Sequence, residues 1–232
     1  MPHSTSRARL VSYGCLLMLT CHVMVPLGAT AADPEIVEQH SREFRVSVDG
    51  KPRGTQTITI VRRADRSEVM RGESEVVLNF VVYRYRYASV GSETWKDGKL
   101  IELKNEADFN GDKYVLQGSA TAQALHYKVN GESQKAPTDI WAASYWREPE
   151  AARVGRKVRV LDSDKGRQLL ASLEKVGTET ITADSAQIKA TRYRMRGDVE
   201  VDVWYDRHGC IAKQESIESG HKTLLELVKI HR

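Results

Sequence analysis

The chain has 232 residues, with 35 Lys and Arg against 31 Asp and Glu and a formal charge of +4. That balance, without a lysine-rich tail or helix, excludes a basic nucleic-acid-binding protein. Of the three cysteines, Cys15 and Cys21 fall in the first apolar stretch. Cys210 is left alone downstream, which excludes an internal disulfide framework.

Arg7 and Arg9, the apolar run Leu10 to Val25 and the small residues Ala29-Thr30-Ala31 have the order of a secretory signal. Cleavage is expected after Ala31, which makes residues 1–31 a signal peptide and residues 32–232 a single antiparallel β domain in the periplasm or secreted. A retained membrane anchor is the alternative, but Cys21, His22 and Pro26 interrupt a span already near the short limit. No stable transmembrane segment is expected in the mature chain. Without Arg7 and Arg9 the charge falls to +2.

Glu35 to Ser41 reads as a short helix or an extended lead-in. Phe44, Val46 and Val48 then alternate up to Asp49-Gly50, and Thr55 to Arg62 forms a second strand antiparallel to the first. Arg63 to Ser67 is a turn. Met70, Val76, Leu78, Phe80 and Val82 keep one parity, after which Tyr83, Tyr85 and Tyr87 take the other. These tyrosines either line a concave surface or pack at a sheet margin with their hydroxyls outward. Asp97-Gly98, Asn110-Gly111 and Asn130-Gly131 each separate strand-like runs and mark tight hairpins. Short strands spaced in this way form a meander and not a βαβ fold.

Pro137 to Trp146 breaks the pattern. Thr138 or Asp139 could cap a short helix carrying Ile140, Trp141 and Tyr145 on one side, to cover an end of the sheet or plug a half-open barrel. Val158 to Leu161 is a strand, Asp162 to Gly166 a turn, and Gln168 to Leu173 and Glu179 to Thr182 are two further strands separated around Gly177. Thr191 to Glu215 alternates strictly about a loop at Gly197-Asp198-Val199. A three-residue loop places Arg196 opposite Glu200, Arg194 opposite Asp202, Met195 opposite Val201 and Tyr193 opposite Val203. A two-residue loop would set arginines against valines. Lys222 to Ile230, apolar on both faces, is an interior strand or closes against the first strand.

Phe44 to Gly50 with Gly54, Glu93 to Leu100, Ser144-Tyr145-Trp146, Leu161 to Gly166, Gly197 with the strand from Asp198 to Trp204, and Trp204 to Gly209 together resemble the DUF3108/DUF6134-type proteins of bacterial cell envelopes. The likeness runs over most of residues 32–232. It implies a mainly β fold, a large curved antiparallel sheet or half-open barrel with a short helix, with the lipoprotein-carrier fold as an analogue. It brings no catalytic mechanism.

Asp206, His208 and Cys210 are the best nucleophile-and-base candidates, but residues this close read first as a hairpin turn in which Asp206 accepts backbone bonds. Asp162-x-Asp164-x-Gly166 begins like a calcium loop and lacks its twelve-residue spacing. His40, His126, His208, His221 and His231 stand singly, without metal-ligand spacing. No cofactor or metal motif is present. Three functions follow. The chain is a non-enzymatic envelope protein that binds or carries a lipid or other amphiphile, with Tyr83, Tyr85, Tyr87, Trp95, Trp141 and Trp146 facing the ligand. Alternatively it is a structural or protein-binding module that meets other envelope proteins, or a hydrolase with a cryptic site.

Overall fold

A computed structural model describes residues 33–79, 84–218 and 220–232. The expected signal segment 1–31 and Tyr83 lie outside the described residues, and Pro34 to Arg232 forms one compact unit.

Strict alternation of apolar and polar residues produces strands almost throughout. β1 is Ile36–Val48, β2 Lys51–Arg63, β3 Ser67–Asn79, β4 Arg84–Lys96 and β5 Lys99–Phe109. β6 is Asp112–Ala120, β7 Leu125–Val129, β8 Glu132–Ala136, β9 Trp141–Ala142 and β10 Arg156–Leu161. β11 is Gln168–Ala183, β12 Ala186–Gly197, β13 Val201–Tyr205, β14 Ile211–Glu218 and β15 His221–His231. Among the described residues these make one sheet in the order β8-β7-β6-β5-β4-β3-β2-β1-β15-β14-β13-β12-β11-β10-β9. Every pairing is antiparallel except β9 with β10.

The turn dipeptides set the register. Asp49-Gly50, Asp97-Gly98, Asn110-Gly111 and Asn130-Gly131 all take positive φ at both positions. That is the mirror-image turn whose twist matches a right-twisted hairpin. The first and last strands pair in the middle of the sheet, with Val46 opposite Leu225 and Val48 opposite Thr223. β15 is therefore interior and also closes against the first strand.

The Thr191–Glu215 hairpin has the register that its alternation requires. Tyr193 faces Val203, Arg194 faces Asp202 and Met195 faces Val201. Tyr193, Met195, Val201 and Val203 are buried in the core, which also contains Phe44, Ile58, Ile60, Leu103, Leu116, Tyr127, Val160, Leu173 and Tyr205. Each such side chain contributes roughly 1.5–3 kcal/mol on burial. The expected Arg196–Glu200 pair does not form: Arg196 reaches Asp202 instead, at 3.2 Å. Arg192 and Arg194 bond to the same carboxylate. Asp202 is buried beneath these guanidinium groups on the outer face of the sheet. Burial pushes its carboxyl up, but the bonds from Arg192 and Arg194 outweigh that and hold it below the usual aspartate range. Beside it Trp204 is sandwiched between Arg192 and Lys213, and its indole N–H donates to Glu179 at 3.0 Å.

Of the two readings of Glu35–Ser41 the extended one holds, since β1 already starts at Ile36. Two expectations need correction. Gln168 to Thr182 is one strand, because a bulge between Lys175 and Gly177 absorbs the break and lets the ladder continue. Thr138 to Trp146 is not helical, and the helical turn of this region is the 3-10 turn Ala151–Arg153. The backbone of that stretch bonds elsewhere. Trp141 and Ala142 pair with Val160 and Leu161, the Ala143 N–H donates to Leu161, and the carbonyl of Trp146 accepts from Ile211. With these partners the segment runs irregularly, through turns at 138–139 and 143–144, inside the curve of the sheet.

The sheet curls until its two ends approach, but β8 and β9 share no ladder. Side chains bridge the seam: Gln168 Nε2 donates to the Lys135 carbonyl at 2.7 Å and to the Tyr127 hydroxyl at 3.2 Å. No helix among the described residues is long and apolar enough to cross a membrane.

Two outcomes test this packing. Leu173→Ala, at a fully buried position, is expected to lower unfolding free energy by about 2–5 kcal/mol in urea melts. Asp202→Asn is expected to destabilise by about 1–3 kcal/mol near pH 7. A depressed folded-state pKa confers stability above the unfolded value and loses it as pH falls, so the difference between Asp202→Asn and wild type should shrink in melts at acidic pH.

Candidate functional site

Strand alternation places Tyr85, Tyr87, Glu93 and Trp95 on the same face of β4, inside the curve. A carboxylate at such a position needs partners, and it finds them in Trp95 of its own strand and in the segment that follows β9. Glu93 Oε2 accepts the indole N–H of Trp95 at 2.8 Å and that of Trp146 at 3.0 Å. The Arg147 guanidinium lies over both indoles, 4.9 Å from the Trp95 ring and 5.8 Å from the Trp146 ring. It also pairs with Glu68 at 3.3 Å. Burial raises the Glu93 carboxyl above its ordinary pKa, while the indole bonds and the nearby Arg147 pull it back. The Ser144 hydroxyl lies close enough to favour the charged form, yet outside full hydrogen-bond geometry.

The same segment is pinned twice more. Tyr193 donates to Glu148 Oε1 at 2.7 Å, and the Glu148 N–H donates to the Gly209 carbonyl at 2.8 Å. Trp141 meets Tyr145 edge-on at 5.6 Å. Tyr145 takes a φ of +47°, a conformation that bulky residues avoid. Its buried hydroxyl and that of Tyr205 have no hydrogen-bond partner in the protein.

A second cluster fastens the seam. The loop from Asp162 to Arg167, between β10 and β11, reaches β4, β5 and β7. Asp164 accepts from the Tyr87 hydroxyl at 2.9 Å and from Asn105 Nδ2 at 2.8 Å. Asn105 can lie across β4 because residue 91 is glycine; a Cβ there would run into the Asn105 amide oxygen. The Tyr127 hydroxyl is 3.0 Å from the Gly166 carbonyl, and Lys165 Nζ sits 4.3 Å from the Phe109 ring. Asp164 is half-buried as a residue, with its carboxyl turned inward onto Tyr87 and Asn105.

A third cluster holds the turn at Asp206–Cys210. Asp206 Oδ1 accepts the N–H of His208 at 2.8 Å and of Cys210 at 3.2 Å, as a turn aspartate does. Its other oxygen pairs with the buried Arg42 at 2.6 Å, and Arg42 also donates to the Ile211 carbonyl. The His208 ring meets Arg207, not Cys210. Cys210 is fully buried, and burial pushes its thiol up although Arg42 and Arg62 oppose this. A thiol so placed is a poor nucleophile. The three residues expected from sequence to be neighbours are neighbours, in the geometry of a turn.

The proposed ligand-facing set separates. Trp95, Trp141 and Trp146 come together, all at most 3% exposed. The crevice beside Trp95 and Trp141 has a volume of about 10 Å³, room for roughly one water molecule. Tyr87 is half-buried and committed to Asp164 and Ser89, and Tyr85 is half-buried on the same face. Sequence reasoning missed Glu93 and Asn105, and read Asp164 as a turn residue alone. The signal for Glu93 was present, since it shares parity with Tyr85, Tyr87 and Trp95.

Glu93→Ala leaves two buried indole N–H groups without an acceptor, and is expected to destabilise by about 2–4 kcal/mol. Glu93→Gln retains an acceptor oxygen and should cost less, as tryptophan-fluorescence urea melts can measure. Cys210→Ser should fold with a loss of about 1 kcal/mol. In the wild type a thiol reagent should reach Cys210 only in denaturant.

A model of the family described as "Domain of unknown function (DUF6134)" matches residues 44–228. No curated protein matches the chain. Among solved structures, the fold is similar to a crystal structure of a β-barrel-like protein of domain of unknown function DUF1849 from Brucella abortus. The TM-score is 0.61 at 10% identity, covering 85% of this chain and 98% of that one. At that identity the likeness concerns the fold alone. The chain belongs to the DUF6134 family.

Proposed function

We propose that this chain is an exported, non-enzymatic envelope protein that works as a structural or protein-binding module and meets its partner at its outer surface. The observation that carries this reading is the buried tryptophan cluster, Trp95, Trp141 and Trp146, inside the curve. Carriers of apolar guests hold them in cavities of roughly 300–1,000 Å³. Here the space beside Trp95 and Trp141 is about 10 Å³, and the Trp95 and Trp146 indoles are bonded to Glu93. A larger cleft of about 180 Å³ is lined mostly by charged residues, including Arg196, Asp202, Glu215 and Lys222. It suits ionic contact better than a lipid chain.

Carriage of an amphiphile is the second reading, and Tyr145 favours it. Its left-handed backbone and unpartnered buried hydroxyl mark the inward segment as strained, so a guest displacing that segment would relieve strain. Native mass spectrometry of protein purified from its host envelope separates the two. The module reading expects the bare polypeptide mass, together with a cross-linked protein partner in intact cells. Recurrent adducts of lipid mass, lost when Tyr145→Gly relaxes the backbone or when the interior is overpacked by Ala142→Leu, would overturn it in favour of carriage.

A further inference from the structure

We propose that the loop Asp162–Arg167 is a pH-dependent latch, which fastens the two ends of the open sheet in acidic medium and loosens as the medium becomes neutral. The inference stands apart from the choice between module and carrier.

The geometry of a latch is explicit. The loop belongs to one end of the sheet, at β10 and β11, and its contacts belong to the other. Asp164 binds Tyr87 on β4 and Asn105 on β5. Lys165 covers Phe109 at 4.3 Å and Tyr114 at 5.7 Å. Gly166 lies against Leu116, Tyr127 and Val129, with a φ of +68° and no room for a side chain beside the Val129 methyl. The loop moves as one piece because Asp162 ties it internally, accepting the N–H groups of Asp164 and Lys165 at 3.1 Å each and the Arg167 guanidinium at 2.9 and 3.0 Å. No backbone ladder between β8 and β9 reinforces the junction.

The charges around Asp164 supply the pH dependence. From its own loop come Asp162, and beyond it Lys165 and Arg167, which are turned to Phe109 and to Asp162. From β4 come the hydroxyls of Tyr87 and Tyr85, from β5 the neutral Asn105, and from β14 the carboxylate of Glu218. Burial pushes Asp164 up to about 6, with Asp162 and Glu218 adding to the rise and Tyr87 and Asn105 opposing it. A carboxyl raised in the docked state favours docking fully below its free value near 4 and loses that advantage as pH rises through about 6. The docking equilibrium should weaken by on the order of 100-fold across that range.

Hydrogen exchange of the full chain, corrected for intrinsic rates, tests the latch. Between pH 5 and pH 7.5, protection in residues 162–167 and in β7 should fall about tenfold, while the β1–β15 pairing keeps its protection. In Asp164→Asn the fall should vanish. Equal protection at both pH values in the wild type, a fall that persists in Asp164→Asn, or a loss shared by β1 and β15 would overturn the proposal. Should Asp164→Asn not fold, Tyr87→Phe serves instead. It removes a donor that favours the ionised carboxylate, so the midpoint should move upward, and an unmoved midpoint would also overturn it.

Discussion

The shape of this protein depends on one buried carboxylate. A sheet that curls without closing has an apolar inner face and no second layer to cover it. Here the covering layer is the chain's own segment after β9, and Glu93 holds it by accepting an indole N–H from the sheet and another from the segment. An isolated buried charge would be prohibitively unfavourable. Two donors and the overlying Arg147 make it tolerable, and they hold Trp95 and Trp146 on one acceptor and under one guanidinium. The arrangement also explains why the segment is not a helix. A helix would satisfy its own backbone, whereas this stretch must present Trp146 to β4, Glu148 to Tyr193 and its carbonyl to Ile211.

The inner and outer faces use charge in opposite ways. Outside, Asp202 lies under three arginines and is held below its usual range, so it stabilises the fold as long as it is ionised. Inside, Glu93 and Asp164 are raised chiefly by burial, and ionisation works against them. A third charged group, the buried Arg42–Asp206 pair, ties β1 to the turn between β13 and β14. Removing one partner of such a pair leaves the other charge uncompensated, which is why these groups fix positions more than they add net stability.

The proposed ligand-facing residues show where sequence reasoning stops. That Trp95, Trp141 and Trp146 form one aromatic group is true of the fold. Whether such a group lines a cavity or fills one depends on the volume between elements far apart in the chain. Trp95 and Trp146 are separated by a long stretch of meander, and their common partner Glu93 becomes visible only when that meander is rolled up. The same holds for Asp164, which reads locally as a turn residue and is one. Its contacts with Tyr87 and Asn105 arise because the two ends of the sheet meet.

The sequence by itself determined what has a period of two or a local turn chemistry: the meander, four tight turns with positive φ at both positions, the register of the Arg194–Asp202 hairpin, and the Asp206 turn. Those features follow from side-chain alternation and from backbone conformations that few residues accept, which are properties of neighbouring residues. The curl of the sheet, the inward path of the segment after β9 and the pairing of distant acids with indoles and tyrosines were decided by the tertiary structure. They depend on how much apolar surface is left uncovered once the sheet has formed, and on which polar groups must then find partners out of water.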